Sequence, residues 1–296
     1  MDIKSGLALS IIRALGLLSL PAARGFGNFI GWLLKVTNSR MYKVTQKNIE
    51  LCFPEMSEIE RQELAQASLK QTGQTIAETG IAWAGTEKKF RKNEEKIQNV
   101  VNLHLFEKAI NDGEGLLLLT MHMGNWEWIT SYLPQRCDLL AMYKMAKMPG
   151  LEKAMLEARK ASGIKLVAAG KEGVLAFTKH YQDKKACIIV PDQEPSLKSG
   201  VWAEFFGISA LTPKFIHYLI QKNPKGTVLN VYMKRVKGGF DLVFKEVDPE
   251  IYSEDLETSA TAMNRGFQAC IADDLSQYQW EYKRFKRNKD AFYKGL

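Results

Sequence analysis

The sequence predicts an α/β fold, a mostly parallel or mixed central sheet flanked by helices, behind an N-terminal apolar helical segment that serves as a membrane anchor. Three observations carry this reading. Between residues 115 and 190 short apolar runs alternate with helical segments, the order that builds a largely parallel sheet covered on both faces. The 296 residues are 46% hydrophobic, enough to bury one large core. Charge gathers at the ends: residues 1–48 hold seven Lys/Arg against one acid and residues 280–296 six against two, so +6 and +4 leave −2 for the rest of the net +8. Basic flanks beside apolar runs suit an anionic membrane surface, where each Lys or Arg contributes about 1 kcal/mol, better than they suit nucleic acid.

In chain order, "GLALSIIRALGLLSLPAARGFGNFIGWLLK" (6–35) comes first. Arg13, Pro21 and Arg24 leave no stretch of roughly 18 uncharged residues, the length that spans a bilayer. An arginine at mid-bilayer costs about 2.5 to 3.5 kcal/mol, so insertion of residues 5–20 stays affordable if it snorkels. Lys4 ahead of an apolar stretch and "PAAR" behind it also resemble a secretory signal. Four cysteines far apart give no disulfide framework or zinc pattern and argue against export. An uncleaved anchor over residues 1–40 is therefore expected, with an interfacial helix or one packed on the body as alternatives, and residues 41–296 form the remaining unit.

A helix follows from Ser57 to about Gly85, opened by a capping box of Ser57 and Glu60, and another covers Leu103 to Ile110. The runs "GLLLL", "CDLLAMY", "GIKLVA" and "ACIIVP" read as strands, separated by helical "PGLEKAMLEARKASG" and "EGVLAFTKHY". After Thr212 come a helix, two adjacent strands or a hairpin in "GTVLNVYMKRV" and "GGFDLVFKEV", and a last helix over roughly 254–275.

Ligands of open α/β sheets bind beyond the carboxyl ends of strands, and "GLLLL" delivers "TMHMGNWE" to such an end. Gly124 permits a tight turn there, and Asn125 is a fitting N-cap for a helix starting at Trp126, with Glu127 in its first turn. On one helix, His122 and Glu127 would lie about 140° apart; divided between loop and helix start, they can face each other. A carboxylate on one imidazole nitrogen frees the other to take a proton, which makes His122 a candidate general base and Glu127 its orienting partner. There is no GxSxG elbow and no cysteine beside the histidine, so direct attack by a substrate hydroxyl fits better than a covalent intermediate.

"HMGNWE" resembles the His-x4-Asp/Glu signature of glycerolipid-type acyltransferases, in particular the late (secondary) lauroyl and myristoyl transferases of lipid A biosynthesis in Gram-negative bacteria. "KNIELCFPE" (47–55), "EARKASGIKLV" with Arg159, "VPDQEP" with Asp192, "EFFGISALT" with Phe205, Phe206 and Gly207, and "QYQWEYKRFK" (277–286) are similar to that family's blocks, in its order. "YKMAKMPG" departs from the usual Tyr-Arg-Pro and Asn-Pro, and Tyr282 stands where histidine is common.

The resemblance implies an inner-membrane enzyme, on the cytoplasmic face, that moves a fatty acyl group from acyl carrier protein to a hydroxyl of a 3-hydroxyacyl chain on a lipid A precursor. Acyl carrier protein, the lipid A precursor and membrane lipids are then its partners, the acyl carrier protein thioester is a co-substrate, and neither cofactor nor metal nor nucleic acid is implied. His122 and Glu127 match the catalytic pair; Arg159 and Asp192 match polar positions near the site, supported by Asn125 and Gly124. Phe205 and Phe206 read first as core and second as lining of an acyl groove, and "KRFKR" (283–287) first as a solvated face and second as a contact for phosphates, membrane or the acidic carrier protein. The alternatives are a related acyltransferase acting on a lysophospholipid or other glycolipid, a metal-dependent hydrolase using His122, Glu127 and Asp192, and a lipid carrier without catalysis. With four histidines and no His-rich spacing, a zinc site is the weaker reading.

Overall fold

The computed structural model describes residues 3–83, 87–146 and 148–296. Helices α1 (Ile3–Leu15), α2 (Leu20–Val36), α3 (Arg40–Cys52), α4 (Glu58–Ala82) and α5 (Glu87–Glu94) come first. The expected capping box opens α4: Ser57 accepts from the Glu60 N–H, and Glu60 accepts from the Ser57 N–H. Pro21, read as an interruption, instead lies in the first turn of α2 behind a Ser19 cap, where its missing N–H and fixed φ cost little.

The alternating part runs β1 (Ile97–Val101), α6 (Leu103–Asp112), β2 (Leu116–Leu119), β3 (Leu139–Tyr143), α7 (Pro149–Ala161), β4 (Lys165–Ala168), α8 (Lys171–Gln182) and β5 (Ala186–Ile189). A separate hairpin, β6 (Gly200–Phe205) and β7 (Ile208–Pro213), precedes α9 (Phe215–Lys222), β8 (Thr227–Val236), β9 (Gly239–Glu246) and α10 (Leu256–Ile271). The seven-stranded sheet has the order β1-β9-β8-β2-β5-β3-β4; only β8 and β9 pair antiparallel within it. The mixed sheet flanked by helices is the architecture the sequence predicts. Strands β1, β6 and β7 are additions to that reading.

β2 lies at the centre, between β5 and β8, and is buried on both faces. Leu117 and Leu119 join Phe177, Ile216 and Met263 on one side, while Leu116 and Leu118 join Phe106 and Trp128 on the other. An unbroken leucine run, rather than an alternating one, is what a doubly covered strand requires.

The expected inserted anchor finds no support: among the described residues no helix is long and apolar enough to cross a membrane. Instead α1 and α2 pack on α4 through glycines. A Cβ on Gly27 would sit 2.5 Å from the Gln74 backbone, and one on Gly73 would sit 2.1 Å from the Gly27 carbonyl oxygen, so the two backbones touch where side chains would hold them apart. The outer side of α2 leaves Phe26, Phe29, Trp32 and Val36 exposed.

Candidate active site

Register places the candidate groups. Leu119 of β2 pairs with Ile189 of β5, and the Thr120 N–H donates to the Ile189 carbonyl. Three residues beyond each of those partners stand His122 and Asp192. Two adjacent parallel strands with tails of equal length bring these side chains together: His122 Nδ1 is 2.7 Å from Asp192 Oδ1, and the His122 N–H donates to Oδ2 at 3.0 Å. The carboxylate thus holds ring and backbone at once. Facing a carboxylate, Nδ1 carries the proton, which leaves Nε2 as the acceptor in the neutral ring. Burial pushes the His122 pKa down, but the Asp192 charge and hydrogen bond outweigh it and raise it above the ordinary value. Asp192 is shifted oppositely: burial pushes it up, and the imidazole brings it below the usual range.

The expected pairing of His122 with Glu127 is therefore corrected. The segment after Asn125 is a 3-10 helix, Trp126–Ser131, which turns Glu127 away from the imidazole and towards α7. Arg159 meets Glu127 at 2.5 Å (Nη2 to Oε1) and 3.2 Å (Nε to Oε2), and the Trp83 indole N–H donates to Oε2 at 3.0 Å. Burial raises the Glu127 pKa, but Arg159 and the indole bring it below the usual carboxylate range, so Glu127 is an ionised partner of a guanidinium. Arg159, which the resemblance puts at a polar position near the site, is the ion-pair partner of Glu127.

The loop between them is fixed from three directions. Gly124 has φ +58°, and a Cβ there would lie 1.8 Å from the Met233 carbonyl oxygen. Its N–H donates to Gln277 O, the Asn125 N–H donates to Met233 O, and the Gln279 N–H donates to His122 O. Thr75 of α4 donates its hydroxyl to Gly124 O at 2.8 Å. Asn125 does not cap the following helix; its side chain donates to Glu78 at 3.0 Å. Glu78, fully buried, also receives Arg24 from α2 and Arg235 from β8, both at 2.7 Å.

Two cavities flank Trp126. One, small at about 60 Å³, is walled mainly by Ile129, Met142, Ile164 and Ile188, with Glu127 and Arg159 at its polar end. The other, about 240 Å³, opens on His122 between α4 and residues 277–281. Trp126 meets the imidazole edge-on, ring centres 4.7 Å apart.

Other expectations resolve in plain terms. Phe205 is buried in the core and touches Phe206, which packs in turn on Phe53 and Trp280, so this pair is core and not groove. "KRFKR" is not wholly a solvated face: Arg284 is buried and donates to Leu211 O and Thr212, and Arg287 pairs with Glu194. Tyr282 accepts from the Glu194 N–H. A metal centre of His122, Glu127 and Asp192 is not assembled, since Glu127 turns from the His122–Asp192 pair and no group of three potential ligands converges among the described residues. Sequence reading missed Trp83, Glu78, Arg235 and Gln193, whose side-chain nitrogen lies 3.4 Å from His122 Nε2. Of these, only Gln193 carried a signal, its place beside Asp192.

Comparison with known proteins gives a consistent result. The family model for bacterial lipid A biosynthesis acyltransferases matches residues 5–287. The chain is 26% identical over 290 residues to a lipid A biosynthesis acyltransferase of Haemophilus influenzae, covering 96% of this chain and 90% of that protein. It is 25% identical to the lipid A biosynthesis palmitoleoyltransferase of Escherichia coli (91% and 86% covered) and 23% identical to the lipid A biosynthesis lauroyltransferase of that organism (93% and 88% covered).

Proposed function

This chain belongs to the bacterial lipid A biosynthesis acyltransferases, and from that premise we propose that it moves a fatty acyl group from an acyl carrier protein thioester to a hydroxyl of a 3-hydroxyacyl chain on a lipid A precursor. His122 Nε2 takes the proton of the acceptor hydroxyl as its oxygen attacks the thioester carbonyl. The new C–O bond forms, the C–S bond breaks, and the proton passes from the imidazolium to the departing thiolate. Asp192 supports the reading by holding Nδ1–H and stabilising the imidazolium at 2.7 Å. Glu127 acts differently from its sequence reading: it anchors Arg159, whose guanidinium meets the charge that develops on the carbonyl oxygen. Gly124 and Asn125 support the site by fixing the loop that carries both.

The acyl chain enters past the small apolar pocket walled by Ile129, Ile164 and Ile188, and each methylene it buries contributes about 0.8 kcal/mol, so the depth it reaches sets the preferred length. At the inner membrane's cytoplasmic face, α2 rests in the lipid interface on Phe26, Phe29 and Trp32, with the basic ends towards anionic headgroups.

The observation that carries this reading is the His122–Asp192 pair at the carboxyl ends of β2 and β5, with an apolar cavity alongside. Mass spectrometry of lipid A from cells with and without this chain tests it. The expected difference is one or more fatty acyl chains in ester linkage to a hydroxyl; identical lipid A in both refutes it.

A further inference from the structure

Besides Asp192, three buried or partly buried carboxylates border the 122–127 loop, and they are not alike. Glu78 is held by two arginines and Glu127 by one. Glu281 has no Lys or Arg within ion-pairing distance among the described residues; it accepts from the Thr72 hydroxyl at 3.0 and 3.1 Å, one contact to each oxygen. It lies in the cavity that opens on His122, whose wall includes Thr72, Thr75 and Thr79 along one face of α4, and Gln277 and Gln279 across from them. Among the described residues no Lys or Arg lines that cavity. A phosphate would meet a carboxylate there without a cation to offset it, whereas the rest of the wall, Met41, Ile76 and Trp126 beside Thr75 and Gln277 that are already hydrogen-bonded within the protein, suits an uncharged segment.

We infer that the cavity on the His122 side of Trp126 is the acceptor's subsite, that it takes an uncharged segment carrying the attacking hydroxyl together with further O–H or N–H donors, and that Glu281 positions this segment by accepting a hydrogen bond from it. The inference rests on the acyl-transfer reading above and adds a division of that site. Trp126 forms part of both cavity walls, so the acyl donor approaches from the Arg159 side and the acceptor from the His122 side. The phosphates of the acceptor stay outside. Burial without a cationic partner pushes the Glu281 carboxyl above its ordinary range, offset in part by its hydrogen bonds and by the nearby imidazole.

Two variants of the full-length protein, Glu281→Gln and Ile76→Trp, test this by separate KM values for the lipid acceptor and the acyl carrier protein thioester. Ile76 lies at the cavity wall and is 44% exposed, so added bulk there obstructs the cavity without disturbing the core. Exchange of a charge-assisted hydrogen bond for a neutral one, about 1 kcal/mol, corresponds to a rise of about fivefold in acceptor KM, with donor KM changed by less than about twofold. Both variants are expected to show that split. Acceptor KM unchanged in both, or donor KM rising in step, overturns the inference. His122→Ala measured alongside separates the two levels: if it transfers at the wild-type rate, the acyl-transfer reading itself fails. If it is inactive while both cavity variants behave as wild type, only the subsite assignment fails.

Discussion

At the scale of residues, the chemistry depends on which carboxylate each cation faces. Asp192 holds His122 and Glu127 holds Arg159, so exchanging either acid for its amide has a separate signature. With Asp192 present, the His122 pKa stands above the ordinary value of about 6.5. A base must be neutral, so kcat/KM is expected to fall as pH drops through that raised pKa. In Asp192→Asn the largest opposition to burial is removed and only the weaker pull of Glu281 and Glu127 remains, so the acid limb moves to lower pH while the plateau falls; a pH profile whose acid limb stays or moves up contradicts this. Arg159→Lys keeps the charge but loses the two-nitrogen grip on Glu127, and a fall in kcat of about tenfold or more with donor KM little changed is expected from single-turnover kinetics. The sequence made His122 legible because a buried run stops just before it. The identity of its partner was hidden, since Asp192 lies 70 residues away and is brought near only by the register of β2 against β5.

At the scale of elements, the site is a loop held by its neighbours. Gly124→Ala places a methyl group against the Met233 carbonyl at a positive φ, and strain of that kind costs of order 1–3 kcal/mol. A lower denaturation midpoint together with reduced transfer is the expected result; an unchanged midpoint would show that the loop is not fixed there. Glu78→Ala leaves Arg24 and Arg235 buried without a counter-charge, and breaking such a group costs about 3–5 kcal/mol. Denaturant unfolding checks it, and a loss below about 1 kcal/mol contradicts the central place given to Glu78. The capping box of α4 and the leucines of β2 were readable because local chemistry decides both. β1 was not, since "IQNVV" is a half-exposed edge strand without the apolar density of a central one. The 3-10 form of Trp126–Ser131 escaped for another reason: tertiary bonds of Gly124 and Asn125 set the direction in which the chain leaves the loop.

At the scale of the whole molecule, apolar surface and positive charge fall on the same part of the chain. α2 is too well packed against α4 to leave it, yet it turns Phe29 and Trp32 outward. Replacing both with serine is expected to reduce co-sedimentation with anionic vesicles several-fold, and raising salt should weaken what remains, because headgroup attraction is screened over about 10 Å at 0.1 M. Equal binding by the variant would move the contact elsewhere. The central claim is that an imidazole held by Asp192 deprotonates an alcohol beside a bound thioester. The most direct measurement is the steady-state transfer rate of folded, full-length His122→Ala with acyl carrier protein thioester and lipid acceptor both saturating. A loss of about 10² to 10⁴-fold is expected for removal of a positioned base, and a rate equal to wild type would contradict the claim.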